Sequence, residues 1–486
     1  LGKGNLQLFG RLQVLNEEEI ESLHQATLRV LEQIGIRFEE ERSREILRKA
    51  GAKVDGKIVR FPAKLVNELI KLSPKKVVLG ARNADKSITL GETQILFTNG
   101  YGATQVVDIK TREYRKATLK DLKNFIRLCD FLNNIDYCLD QVIPQDVPPP
   151  PLDLIIAFVM LNNTEKNVHL SMINGNYIEE VIELGEIVSD RKNIQESPVY
   201  SLGCCPISPL TYPANTTDRL RKAVKRNIPF LIVSGATAGA TAPVTLAGTL
   251  IVQNSEILAG IMLAQAISPG APIVYGSFAS PMDMSRGKQL LGVPEIALMN
   301  AATAQLCKRY RIPFGYGTGG ITDSFISGVQ AGFEKGSTIL LGALGGVEVI
   351  HDGASGMLGS SMIASYEQLI LDDEFCNIIK RYLKGINISE EAIAFDVIKE
   401  VGPGGDFLRS THTVQNLRKE LYLSRLWNRD QVLDEIKKEQ VIERAAQKAK
   451  EILNNHKPIP LSEDKLKEMI MILEKAGFEG SKELWE

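Results

Sequence analysis

The chain has 486 residues, of which 57 are basic and 59 acidic, for a formal net charge of −2 with histidine neutral. A balance this even, with both signs scattered along the chain, leaves no electrostatic footprint for nucleic acid or a membrane surface. The length exceeds one minimal domain and suits a large barrel with additions. Six cysteines (Cys129, Cys138, Cys204, Cys205, Cys307 and Cys376) lack C-x-x-C spacing. They point to a reducing cytoplasm and buried thiols. The first ten residues carry no apolar stretch of the kind a signal peptide needs. The longest apolar run, 246–267, is interrupted by Gln253, Asn254, Glu256 and Gln265, so it reads as a buried helix and not as a membrane span.

Residues 1–93 open with a helix predicted over 17–34, with Asn16 as N-cap and Glu19 completing a capping box. Short strands follow, with a helix at 63–71 between them, and together these read as an α+β layer packed on the next segment. From residue 94 a regular alternation begins. Apolar strands are predicted at 94–98, 136–142, 167–172, 199–204, 229–234, 272–277, 312–317 and 347–351. Helical patterns occupy 119–132, 152–163, 178–188, 216–226, 246–267, 290–310, 327–344 and 361–383. Strands apolar on both faces, each followed by a helix, imply a parallel sheet covered by helices. Eight such units over 94–383 favour a closed (β/α)8 TIM barrel over an open doubly wound sheet. The nucleotide fingerprints of open α/β sheets are also missing from the sequence. The proline run 148–151 reads as a rigid loop leading into the second helix. Residues 384–486 read as a charged helical extension, interrupted by glycines at 401–406.

Active sites of such barrels lie at the carboxyl ends of the strands. Read in order, those ends are Asn99-Gly100-Tyr101-Gly102, Gln141, Ser171-Met172, Cys204-Cys205-Pro206, Ser234-Gly235-Ala236, Gly276-Ser277-Phe278, Gly317-Thr318-Gly319-Gly320 and His351-Asp352-Gly353. They contain one histidine, no lysine and few acids. A Schiff-base enzyme wants a lysine there, and a metallohydrolase wants clustered His and Asp. The five histidines show no ligand spacing, so no metal site is assigned, and no acid or base is assigned a catalytic role. The list describes a pocket that holds and shapes its ligand.

His351 closes an apolar strand before Asp-Gly, where it serves either as a ligand contact or as a core-edge histidine bonded to backbone. His169 lies inside a strand and reads as a satisfied core histidine. Glu256 sits in the middle of an apolar helix, where an unpaired carboxylate is costly. It is either an internal anchor for a neighbouring loop or a site carboxylate. Tyr101 and Phe278, just beyond their strands, are candidates for an aromatic cage around a cation. Tyr275, Phe314 and Tyr316 are further cage candidates, but Tyr275 and Phe314 alternate within their strands, so some of these are barrel filler and Tyr101 and Phe278 are preferred.

Five segments carry a resemblance that spans nearly the whole chain in order. They are GNLQLFGRLQVLNEEEIESLH, FTNGYG, TLAGTLIVQNSEILAGI, GYGTGGITDSFISGVQAGFEK, and VGPGGDFL with the following His412. Together they resemble the trimethylamine methyltransferase superfamily of corrinoid-dependent methyltransferases. The resemblance implies a (β/α)8 barrel that moves a methyl group from an amine to cob(I)alamin on a partner corrinoid protein, with no tightly bound cofactor of its own. It also implies a cytoplasmic homo-oligomer. The trimethylamine enzymes carry pyrrolysine in the loop after the seventh strand, whereas residues 323–330 here are ordinary amino acids. Pyrrolysine is held to activate a neutral tertiary amine as an adduct, and a quaternary ammonium already has the charge that makes its nitrogen a good leaving group. The expected donor is therefore a quaternary amine, with glycine betaine first and proline betaine, carnitine or another betaine as alternatives. Candidate substrate contacts are Asn99, Tyr101, Phe278, Gly317, Thr318, His351 and Glu256. Two readings from other classes compete: a non-catalytic barrel that binds a corrinoid protein, and a metal-dependent barrel hydrolase.

Overall fold

The computed structural model describes residues 7–147, 151–171, 175–189, 197–424, 426–427 and 440–478. The predicted loop residues Pro148, Pro149 and Pro150 and the strand-end Met172 lie outside them. Eight strands form one sheet: β1 (Leu96–Phe97), β2 (Cys138–Leu139), β3 (Val168–Leu170), β4 (Tyr200–Cys204), β5 (Phe230–Ser234), β6 (Ile273–Ser277), β7 (Phe314–Thr318) and β8 (Val349–His351). Their spatial order is β1-β8-β7-β6-β5-β4-β3-β2, and every pairing is parallel. A parallel bridge between Thr98 and Tyr137 joins the two remaining edges. The sheet curls until its pairing runs all the way round, as in a (β/α)8 barrel.

One helix follows each strand: α1 (Leu119–Phe131), α2 (Leu152–Asn163), α3 (Ile178–Val188), α4 (Ala214–Lys225), α5 (Leu246–Ile267), α6 (Pro294–Tyr310), α7 (Val329–Leu344) and α8 (Tyr366–Leu383). Among the boundaries that differ from the sequence reading, three have a clear local reason. The last helix starts at Tyr366 and not at 361, because Ile363–Ser365 is a buried strand paired with Gln105–Val107. Ser365 then caps the helix by accepting from the Gln368 N–H. The sixth helix starts at Pro294, a residue suited to a first turn because it has no N–H to lose. The helix expected over 17–34 is α only for Glu17–Arg29 and ends in a π turn, Val30–Ile34. Gly35 stops it at φ 84°, where a Cβ would stand 2.6 Å from the Val59 carbonyl oxygen.

The amino-terminal segment is tied to the barrel through backbone pairing. Ile36–Phe38 pairs antiparallel with Ile58–Arg60 and parallel with Thr211–Tyr212 from the loop after β4. Helices Glu17–Arg29, Glu41–Lys49 and Ala63–Ile70 all pack on α5. By length and composition α5 could cross a membrane, but it is enclosed by these helices and the barrel wall. Enclosure on all sides explains why it is apolar all round. A hairpin, Val77–Leu79 with Ile88–Leu90, fills the amino-terminal end of the barrel. Its Leu79 and Leu90 join the interior cluster of Leu96, Leu139, Leu231, Val274 and Val349. Gly315 leaves room for these side chains: a Cβ there would stand 2.3 Å from Val274 Cγ1 and 3.0 Å from Leu90 Cδ1.

The seam between β1 and β2 is closed largely by side chains. The Asp136 N–H donates to the Phe97 carbonyl, and its carboxylate accepts the Phe97 N–H, both at 2.8 Å. Two residues on, Asn99 Oδ1 accepts from the Leu139 N–H and Nδ2 donates to the Leu139 carbonyl, again at 2.8 Å. Asn99 Nδ2 also donates to the Gly100 carbonyl and to Gln141 Oε1, which in turn accepts the Gly100 N–H at 3.1 Å. Replacing Asn99 by alanine strands several buried backbone groups. Asn99→Ala should therefore cost about 2–4 kcal/mol, read as a lower midpoint in thermal or urea unfolding, whereas a surface variant such as Lys110→Ala should be neutral.

Candidate active site

The carboxyl ends of the strands bring together Tyr101, Asp140, Ser171, Phe278, Tyr316 and His351. Tyr316 projects from β7 and stacks on the His351 ring with centroids 3.4 Å apart. Phe278 meets Tyr316 edge-on at 6.3 Å, and Tyr101 and Phe278 pack on the interior cluster to which Tyr316 belongs. On the opposite wall the Tyr101 hydroxyl is hydrogen-bonded with Ser171. The Ser171 hydroxyl donates to Asp140 Oδ1 at 2.9 Å. Burial, foremost, pushes the Asp140 carboxyl up to about 8.

His351 is fully buried, with Nδ1 2.7 Å from Asp352 Oδ2. Asp352 adopts the left-handed backbone, φ 67°, which turns its carboxylate back toward its own neighbour. His351 Nε2 and Asp352 Oδ1 are buried and have no hydrogen-bond partner among the described residues. A buried polar atom left open in this way is costly unless a ligand satisfies it. His169 lies deeper, with Nδ1 3.0 Å from the Ser201 hydroxyl; burial, then the neighbouring His351, pulls it down to about 3, so it stays neutral. Burial likewise pushes the Cys204 thiol up, which argues against a thiolate nucleophile there.

Of the seven residues expected to contact substrate, Tyr101, Phe278 and His351 share this mouth. The other four are engaged elsewhere. Asn99 spends its amide on the β1–β2 seam. The Thr318 hydroxyl donates to the Ser277 carbonyl at 2.9 Å, and its own carbonyl accepts from Asn300. Gly317 faces outward, where a Cβ would stand 2.4 Å from Val347 Cγ1. Glu256 anchors loops from behind the wall, accepting from the Ser208 hydroxyl and Leu210 N–H at 2.8 Å and from the Ser234 hydroxyl at 2.5 Å. With three donors its carboxylate is satisfied inside the protein. The sequence reading passed over Asp140 and placed Tyr316 behind Tyr101 and Phe278 as a cage residue. An acid closing an otherwise apolar strand, in Tyr137-Cys138-Leu139-Asp140, was the available signal for the first.

The segment after β7 is held rigid. Gly320 takes φ 78°, with the Asp352 carbonyl oxygen where a Cβ would be. Its own carbonyl accepts from Lys335 Nζ at 2.5 Å. Lys335 is buried and paired with Asp372 at 2.9 Å, and it also donates to the Ser355 hydroxyl at 2.8 Å. Asp323 accepts from the N–H groups of Leu291 and Gly292 and from the Ser360 hydroxyl. Beyond these anchors Phe325 and Ile326 stand exposed on the rim with Met284 and Met362. Among the described residues no group of three or more His, Cys, Asp and Glu is arranged to hold a metal ion. A cleft of about 860 Å³ opens at the other end of the barrel, lined by Lys75, Arg311 and Glu348 among others, away from the strand carboxyl ends.

Residues 5–475 match the family described as trimethylamine methyltransferase (MTTB). The chain belongs to that family. It is accordingly a methyltransferase, and the readings as a non-catalytic barrel or a metallohydrolase fall away. It is 34% identical over 473 residues to the trimethylamine methyltransferase MttB of Desulfitobacterium hafniense (strain DSM 10664 / DCB-2), covering 95% of this chain and 93% of that one. It is 36% identical over 457 residues to the glycine betaine methyltransferase of Desulfitobacterium hafniense (strain Y51), covering 93% and 94%. Its fold resembles the crystal structure of the monomethylamine methyltransferase MtmB of Methanosarcina barkeri. The TM-score is 0.55 at 12% identity, over 92% of this chain and 89% of that one.

Removing one partner from the buried Lys335–Asp372 pair leaves an uncompensated charge. Lys335→Met should destabilise the protein by about 3–5 kcal/mol and should loosen the Gly320–Ser355 contacts. Limited proteolysis should then cut near Phe325 faster than in the parent.

Proposed function

We propose that this methyltransferase takes a methyl group from a quaternary amine, glycine betaine in the first place, and delivers it to cob(I)alamin carried by a partner corrinoid protein. The observation that carries the reading is His351, buried, stacked on Tyr316 and open at Nε2. A betaine has a positive ammonium and a negative carboxylate on one small frame. Aromatic faces of Tyr101, Tyr316 and Phe278 suit the ammonium. The His351 ring, held at Nδ1 by Asp352, offers its remaining nitrogen, Nε2, to the substrate carboxylate. Asp140, across the mouth, becomes the counter-ion once a fixed cation arrives.

The chemistry asks little more of the protein. Transfer breaks the nitrogen–methyl bond, leaves its electron pair on nitrogen as a neutral tertiary amine, and joins the methyl to the acceptor cobalt, which supplies the attacking pair. The protein holds the methyl toward the open mouth and keeps water out. Residues 323–330 contain neither pyrrolysine nor lysine, which agrees with a donor that needs no adduct. The apolar rim of Met284, Phe325, Ile326 and Met362 is the surface offered to the corrinoid protein.

Purified protein given cob(I)alamin and glycine betaine should yield methylcobalamin and dimethylglycine. Inactivity across a panel of glycine betaine, proline betaine and carnitine would sink the proposal, and a clear preference for a bulkier member would reassign the donor. His351→Ala should raise KM for a betaine at least about tenfold, the scale of a lost charge-assisted hydrogen bond. The same change should leave binding of tetramethylammonium, which lacks a carboxylate, nearly unaltered.

Asp140 gives the pH dependence its sign. Its carboxyl is raised to about 8 in the empty site, and a bound cation favours the ionised form, so binding releases a proton. Affinity should rise with pH, by at most about tenfold per unit, and level off above about 8. Titration calorimetry in buffers of different ionisation enthalpy should report the released proton. Asp140→Asn should weaken binding and flatten the profile.

A further inference from the structure

The ladder that holds β3 in the barrel stops one residue short of the pocket. β2 pairs with β3 as far as His169, and β4 pairs with it as far as Leu170. Ser171 is the next residue, and a side chain holds its carbonyl. Arg219, reaching in from α4, donates to it from Nη1 at 3.1 Å. Arg219 is only 8% exposed, a depth at which a guanidinium is costly unless its donors find acceptors. Its stem lies along the backbone of Gly175, where a Cβ would stand 3.4 Å from Arg219 Cδ. The Gly175 N–H donates in turn to Asp153 Oδ2 at 2.7 Å. Burial raises the Cys204 and Cys205 thiols, and the Arg219 guanidinium opposes that rise in both. Arg219 therefore stands behind the ends of β3 and β4 at once.

What it holds is the link between two walls of the site. The Ser171 hydroxyl donates to Asp140 Oδ1 at 2.9 Å and is hydrogen-bonded with the Tyr101 hydroxyl. A serine whose carbonyl is released can turn to another rotamer and lose both contacts. Asp140 is faced by Ser171 and Tyr101 and by Asp153 from α2, with Cys205 beyond Tyr101 and Arg219 behind Ser171. Burial, foremost, and the Asp153 charge favour the neutral carboxyl, whereas the Ser171 donor favours the ionised one. Releasing Ser171 should therefore move Asp140 further up. Loss of a nearby positive charge acts with the same sign, so a test has to separate the two.

We propose that Arg219 is a positioning residue of the methyl-transfer site, whose hold on the Ser171 carbonyl aims the hydroxyl that joins Tyr101 to Asp140. Its consequence for substrate rests on the reading of Asp140 as counter-ion, but its first test does not. Infrared difference titration of the full-length protein without substrate follows the protonated carboxyl of Asp140, assigned by its loss in Asp140→Asn. Arg219→Met should raise that midpoint by at least about half a unit, a roughly threefold change in proton affinity. Arg219→Gln, also too short to reach Ser171, serves if the methionine variant does not fold. Arg219→Lys, which keeps the charge and a donor, should recover part of the shift. Ser171→Ala should give a shift of like size alone, and adding Arg219→Met to it should give little more.

An unmoved midpoint in the folded Arg219 variants overturns the proposal. So does a full second shift in the Ser171→Ala background, which would mean that the charge acts through space. With glycine betaine as donor, Arg219→Met should raise KM about threefold at pH 7 and leave kcat at saturation unchanged. The two proteins should converge above about pH 9.5, where Asp140 is ionised in both. A parent whose betaine binding ignores pH would count against Asp140 as counter-ion, while the infrared midpoint still decides the role of Arg219.

Discussion

Everything at the mouth depends on how the ring of strands is closed. β1 and β2 are two residues each, too short to share a full ladder, and isolated backbone bridges join Thr98 to Tyr137 and, beyond the strands, Ala103 to Val142. The missing backbone bonds are replaced by the carboxylate of Asp136 and the amides of Asn99 and Gln141, which occupy the positions a longer strand would have filled. Gln141 carries the same network across to Ser355, beside the turn that presents His351 and Asp352. The seam thereby fixes the register of Tyr101 against Asp140, two groups that face the same pocket from neighbouring strands.

Burial sets the chemistry of that pocket. The same desolvation that raises Asp140 lowers His169, so the empty site sheds charge of both signs. Neutral walls with polarisable rings suit a ligand that brings its own charge. The open ring nitrogen His351 Nε2 is supported from beneath by Asp352, whose backbone is held by the Thr98 hydroxyl at 3.2 Å. The buried Lys335–Asp372 pair performs the corresponding task for the segment after β7. Rigid support is what a positioning site needs, because misplacement of a methyl group by an ångström is costly in rate.

Much of the barrel was legible in the sequence because its strands are apolar on both faces and its helices are long. Strand–helix order, the buried character of α5 and the N-cap at Asn16 all follow from periodicity and capping chemistry. The site was legible only in part. Placement at a strand end singled out Tyr101, Phe278 and His351, which do share the mouth, but it singled out Asn99, Thr318 and Gly317 just as strongly. What separates the two sets is which way each side chain points and whether a neighbour already occupies its polar atoms. Those are facts of three-dimensional register. Glu256 shows the same limit, since two donors from the loop after β4 and one from the end of β5 converge on it and none is adjacent in sequence. The short strands around Gln105–Val107 and Ile363–Ser365 went unread because each is three residues long and is recognisable only by its partner.

The hairpin that fills the amino-terminal end has a kinetic meaning as well as a packing one. Leu79 and Leu90, lodged among the interior side chains, plug that end of the barrel. Donor and spent product must then use the mouth. If the methyl acceptor docks over that mouth, it covers the passage by which the amine came in. The amine has to arrive first and its product leave last, so a plug built from leucines would impose an order of events on a reaction it never touches.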